Sequence, residues 1–274
     1  MGGLALAERY FSSYGLQLLR AQFQPYEARI AVGLVGDGSD CLGFDDEWSR
    51  DHDWGPGFCF WLAKPDHAQI GEALQCAYEG LPRTFEGFER CTSEWGDGRV
   101  GVFEIGAFYR GFLGRPHVPE TLLEWFRIPE KNLAGCTSGQ VFHDPLGEFS
   151  GIRQQLLAFY PDDVRIAKIA ARCMSAGQSG QYNFLRCLQR QEYFAAQYAQ
   201  TKFCSDIMSL VYLLNRKYAP YYKWMHRGLV GLPRMGRFLF EKIAAMAVSR
   251  DQEEKKSLID EICAEGEKFV EKLK

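Results

Sequence analysis

The 274-residue chain reads as an α+β protein in two parts, a mixed β-sheet domain with flanking helices over residues 1–150 and a C-terminal helical bundle over residues 151–274. Three observations predict this. Short apolar runs of strand length alternate with amphipathic helical segments up to Asp144, and past Gly151 the hydrophobic residues fall at three- and four-residue spacing only. Between the two patterns, GEFSG and Tyr160-Pro161-Asp162 place a boundary near residues 148–162.

Each element follows in order. Residues 3–24 carry Leu4, Leu6, Phe11, Leu16, Leu18 and Leu19 at helical spacing. The run ARIAVGLVG over 28–36 is β-branched and apolar and ends in the turn-forming cluster GDGSD, a strand followed by a turn. A second strand is predicted at 58–63, FCFWLA, and an amphipathic helix at 67–81. Further strands are predicted at 99–109, RVGVFEIGAFY, and 138–144, SGQVFHD, with a short helix between them at 121–128. Beyond the boundary, VRIAKIAARCMSAG, the long stretch from Tyr182 to Tyr218, RFLFEKIAAMAV and KKSLIDEICAEGEKFVEKL all carry helical periodicity.

Composition narrows the function. The 46% hydrophobic content suffices for one large core or two modest ones. A net charge of −3, from 35 acidic and 32 basic residues, supplies no general attraction to nucleic acid or an anionic membrane. The N-terminus lacks the basic and apolar regions of a secretory signal, and no apolar run reaches the roughly 18 residues of a membrane span, so a cytoplasmic protein is expected. The nine cysteines are scattered and form no C-x-x-C pair, which predicts reduced thiols.

The chemistry concentrates in residues 36–55, GDGSDCLGFDDEWSRDHDWG. Glycine lets the backbone come close to a phosphate, and the successive amides of such a turn, with the Ser39 hydroxyl beside Gly38, make an anion-binding concavity. In an extended chain residues i and i+2 share a face, which would set the carboxylates of Asp51 and Asp53 side by side with His52 turned away. Two carboxylates of this kind suit Mg²⁺, or Mn²⁺ in its place, since Mg²⁺ is bound through one or two carboxylates together with substrate phosphates.

The order strand, Gly-Ser turn, Asp-x-Asp, apolar strand and helix resembles the DNA polymerase β-like nucleotidyltransferase superfamily. Within it, GSDCLGFDDEWSRDHDWGP, VFHDPLGEF and LLNRKYAPYYKW are similar to a bacterial family of nucleotidyltransferase-like proteins related to aminoglycoside- and lincosamide-modifying enzymes. The resemblance implies that Gly38 and Ser39 contact the nucleotide, that Asp51 and Asp53 bind metal and act in catalysis, and that a third acidic residue lies on a later strand. Glu104, in VFEI, matches that third position, with Asp144 as its rival; Asp144 precedes Pro145 and Gly147 and reads as a turn residue. A lysine of the helical half, Lys223, is implied as a contact for the β- and γ-phosphates.

The implied activity is Mg²⁺-dependent transfer of a nucleoside monophosphate from a nucleoside triphosphate such as ATP to a hydroxyl of a small-molecule acceptor, with release of pyrophosphate. A catalytically inactive nucleotide-binding or antitoxin-like protein stays open beside it, as does a transferase acting on RNA or protein. The acidic balance weighs against RNA.

Overall fold

The computed structural model describes residues 2–50, 53–91 and 98–271, and the chain divides into two compact units, Met1–Ala158 and Phe159–Lys274. The α+β reading holds: the first unit carries a mixed four-stranded sheet among helices, and the second is helical throughout its regular structure.

The N-terminal helical stretch consists of α1 (Gly3–Tyr10), a π-helical turn (Phe11–Gly15) and α2 (Leu16–Gln22). The π turn coincides with a close approach, because a Cβ on Gly15 would lie 2.6 Å from the rings of Phe11 and Phe58. Then come β1 (Ala31–Leu34), β2 (Cys59–Leu62) and α3 (Lys64–Glu79). A small hairpin, β3 (Thr84–Phe85) and β4 (Phe88–Glu89), turns through Glu86 and Gly87. Both have positive φ, 49° and 80°, as a tight two-residue hairpin loop requires. The unit closes with β5 (Gly101–Glu104), α4 (Ile105–Leu113), α5 (Leu122–Arg127), α6 (Glu130–Thr137), β6 (Gln140–His143) and α7 (Glu148–Leu157).

Strand order in the main sheet is β5-β2-β1-β6, with β2 antiparallel to β1, β6 antiparallel to β1, and β5 parallel to β2. The two central strands are buried at every position, which is why their sequences are continuous apolar runs rather than alternating ones. On one face Val32, Phe60 and Leu62 join Tyr10, Phe11, Leu19, Phe58, Leu74 and Tyr78 in a core between the sheet and the helices α1, α2 and α3. On the other face the Trp61 ring stacks on Phe149 with centroids 3.9 Å apart and meets Phe108 edge-on. Each fully buried aromatic of this kind contributes roughly 1.5–3 kcal/mol.

The strand predicted at 99–109 is half strand and half helix. Its residues from Ile105 onward form α4, which buries Ile105, Tyr109 and Leu113 at four-residue spacing and ends at Gly114 with φ 73°. An apolar run of this length satisfies both periods, and the turn of helix wins because its buried face packs into the aromatic cluster.

In the second unit α8 (Asp162–Ala176), a π-helical segment (Gly177–Phe184) and α9 (Leu185–Gln189) pack around the long α10 (Tyr193–Leu214). Gly180 lets the π segment touch α10, since a Cβ there would stand 2.4 Å from the Phe203 ring. The buried Asp206 is held by Arg172, Lys202 and Ser175. The unit ends with α11 (Tyr222–Gly228), α12 (Gly236–Val248) and α13 (Gln252–Glu271). No described helix is long and apolar enough to cross a membrane.

Candidate functional site

One end of the main sheet gathers the chemistry. There β1 ends at Leu34, while β2 and β5 begin, with Gly33 paired to Cys59 and Cys59 paired to Gly101. The Gly36–Ser39 turn leaves β1 at this end, and Asp53 arrives there on the segment leading into β2. The turn is compact: Leu42 N donates to Gly38 O, Gly43 N to Asp40 O and Phe44 N to Ser39 O. Ser138, just past the end of α6 and two residues before β6, anchors it, its hydroxyl donating to Gly36 O at 2.5 Å. Among the described residues the amides of Gly38, Ser39 and Asp40 and the Ser39 hydroxyl have no partner within the protein. Successive free amides beside a hydroxyl are what an anion-binding turn presents.

Arg99, two residues before β5, ties the two ends of the acidic loop together. Its guanidinium is ion-paired with Asp40 on the turn and donates to the backbone carbonyl of Asp53. Asp40 is buried at 3% exposure and also accepts the Cys41 amide at 2.7 Å. The Asp40 carboxylate beside Arg99 holds that guanidinium's pKa above its usual value, so it stays charged despite burial. Cys41 and Cys59 lie alongside as neutral thiols, Cys59 pushed up to about 12 by burial. All nine cysteines are free.

A second layer fixes the rest of the loop. Asp45 accepts from the Gly3 amide at the start of α1 and from Trp54 Nε1, at 2.7 and 3.1 Å. The Arg50 guanidinium lies over the Trp54 and Phe88 rings, 5.1 and 5.2 Å from their centroids. Arg90 donates to Pro56 O and covers Tyr78. A pocket bordered by Asp40, Asp53, Gly55, Arg90 and Arg99 opens between these groups.

The sites expected from the sequence fall in three places. Gly38, Ser39 and Asp53 share this end of the sheet, while Asp51 and His52 lie outside the described residues. The premise that the acidic pair runs along a strand does not hold at Asp53, where the backbone is left-handed with φ 52° and β2 starts six residues later. The third-acid candidates stand at the opposite end. Glu104 pairs with Leu62 at the far end of β2, three residues or about 10 Å along β5 from Gly101. Its carboxylate caps α4, accepting from Gly106 N at 2.7 Å. Asp144 follows His143, which pairs with Val32 at that same far end, and it caps the start of α7 by accepting from Gly147 N and Ser150 N. Register therefore separates both from Asp53. Lys223 belongs to the second unit, exposed, its Nζ 4.9 Å from the Trp224 ring.

The described donors do not fit the three-carboxylate metal centre that the resemblance implies. Among the described residues no group of three or more His, Cys, Asp or Glu is placed to hold a metal ion. Asp40 and Asp45 are engaged by protein donors, and at the start of β5, parallel to β2, stands a guanidinium. Sequence reasoning missed Arg99. The signal was present in a lone arginine at the head of a strand otherwise apolar from Val100 to Phe103, but nothing in its spacing to Asp40 revealed the pairing.

A family described as a domain of unknown function, DUF4037, matches residues 125–225. Among solved structures the chain is similar to a nucleotidyltransferase-like protein from Exiguobacterium sibiricum 255-15, at 10% identity and a TM-score of 0.38, over 94% of this chain and 75% of that one. No curated protein matches.

Proposed function

We propose that the chain binds a nucleoside triphosphate at the Gly36–Ser39 turn and transfers its nucleotidyl group to a hydroxyl of a small acceptor. One observation carries this reading: β1 and β2 bring a turn with unpartnered amides and an acidic loop to the same end of the sheet, in the chain order of the polymerase β-like superfamily. In the transfer, the acceptor oxygen forms a bond to the α-phosphorus. The bond from that phosphorus to the oxygen bridging to the β-phosphate breaks, pyrophosphate leaves with the electron pair, and the hydroxyl proton passes to a carboxylate.

The roles follow from placement. The amides of Gly38 and Ser39 and the Ser39 hydroxyl take phosphate oxygens. Asp53 borders the same pocket as Asp40, the residue that follows the turn, and Asp51 with it would hold Mg²⁺ or Mn²⁺. Glu104 and Asp144 have no part at this end of the sheet. A second reading, a non-catalytic nucleotide-binding protein, is favoured by one observation: the group that reaches the Asp53 backbone at this end of the sheet is the guanidinium of Arg99 and not a third carboxylate.

The deciding experiment measures pyrophosphate release from each nucleoside triphosphate with Mg²⁺ and a small-molecule extract, followed by mass spectrometry of the acceptor. Transfer by the unaltered protein and its loss, by about a hundredfold or more, in Asp53→Ala are expected. Triphosphate binding by calorimetry without pyrophosphate release would establish the non-catalytic reading, and absence of binding would overturn both.

A further inference from the structure

The corner where the turn meets Asp53 contains a cation of its own. The Arg99 side chain is 21% exposed and its partner Asp40 4%. Its two terminal nitrogens are committed to opposite ends of one loop, Asp40 and the Asp53 carbonyl, and its Nε is buried without a partner among the described residues. The segment 36–55 carries seven carboxylates (Asp37, Asp40, Asp45, Asp46, Glu47, Asp51 and Asp53) against one arginine. Such a segment attracts free divalent cations unless its carboxylates are occupied.

We propose that Arg99 is a positioning residue that serves as the internal cation of this site: it withholds Asp40 from metal ions and fixes the spacing between the Gly38–Ser39 turn and Asp53. A buried carboxylate already neutralised by a guanidinium offers a metal ion little net charge, and an ion drawn to it must sit beside the positive Arg99. Asp40 and Asp53 therefore make a poor chelating pair while Arg99 stands between them. With Asp40 withheld and no three carboxylates among the described residues placed together to hold a free ion, the loop selects a metal ion that arrives already coordinated by a triphosphate. That selectivity rests on the proposed function, whereas the withholding of Asp40 does not.

The test uses Mn²⁺ alone, without nucleotide, titrated onto the full chain and followed by electron paramagnetic resonance. Arg99→Gln frees Asp40 and is expected to tighten Mn²⁺ binding about tenfold, and Arg99→Gln/Asp40→Asn to return it to the starting value. Arg99→Lys, which keeps the charge, gives no gain. Asp40→Asn alone leaves Mn²⁺ affinity within about twofold, because Asp40 is not a ligand. A folded Arg99→Gln protein with unchanged or weaker Mn²⁺ binding overturns the proposal. If Arg99→Gln does not fold, a several-fold loss in Asp40→Asn overturns it just as well. Should these arms come out as expected while no triphosphate binds, the transfer reading falls and the role of Arg99 stands.

Discussion

Gly38 shows how one residue's identity is set by a neighbour far along the chain. A Cβ at this position would lie 1.8 Å from an Arg99 terminal nitrogen and 2.3 Å from an Asp40 carboxylate oxygen. Arg99 cannot swing aside freely, since its other terminal nitrogen is committed to Asp53. Gly38→Ala must therefore displace either the ion pair or the turn, at about 1–3 kcal/mol, the usual cost of overpacking. A thermal-unfolding cycle checks this: Gly38→Ala is expected to lower the Tm by several degrees, and to lower it much less in an Arg99→Gln background. Strictly additive effects would mean that the two residues do not press on each other. Glycine at this position thus answers to packing as well as to phosphate, and the sequence alone suggested only the second reason.

At the scale of elements, what the sequence revealed and what it hid have separate causes. The runs that became β1, β2 and β6, and the amphipathic helix α3, were legible because each is long enough, or apolar enough, to satisfy one period alone. The stretch from Val100 to Tyr109 satisfies two periods, and only the aromatic cluster around Phe108 decides that α4 begins at Ile105. That decision makes Glu104, the last residue of β5, the cap of α4 as well. Asp144 closes the turn that its neighbours Pro145 and Gly147 implied, and it also accepts from Ser150 N in the first turn of α7, which they did not imply. The Gly-Ser turn was legible from local residue types, whereas the end of the sheet occupied by each acid depends on strand register, which no local pattern encodes. Capping makes a sharp expectation: Glu104→Ala and Asp144→Ala each cost about 0.5–2 kcal/mol of stability by chemical denaturation. Neither is expected to change the triphosphate KM or kcat by more than about twofold. A loss of kcat of a hundredfold in Glu104→Ala, with the fold intact, would return that carboxylate to the chemistry.

Across the whole molecule, charge is unevenly placed, and this constrains what can approach the site. Residues 36–55 hold seven of the 35 acidic residues and one of the 32 basic ones, so the remainder carries 28 acidic and 31 basic residues. The net charge of −3 is thus a segment of −6 on a chain otherwise at +3. A polyanion such as RNA brings many phosphates against that segment at once, each needing neutralisation, whereas a triphosphate brings its charge in one compact group already bound to a divalent ion. The unpartnered amides at Gly38 and Ser39 can serve one phosphate group but form no extended track. An oligoribonucleotide at about 0.15 M salt is therefore expected not to displace a fluorescent triphosphate analogue bound with Mg²⁺, while unlabelled triphosphate displaces it fully. Displacement by the oligonucleotide, weakening steeply as salt rises, would show that the positive remainder of the chain recruits nucleic acid and would make RNA the acceptor to pursue.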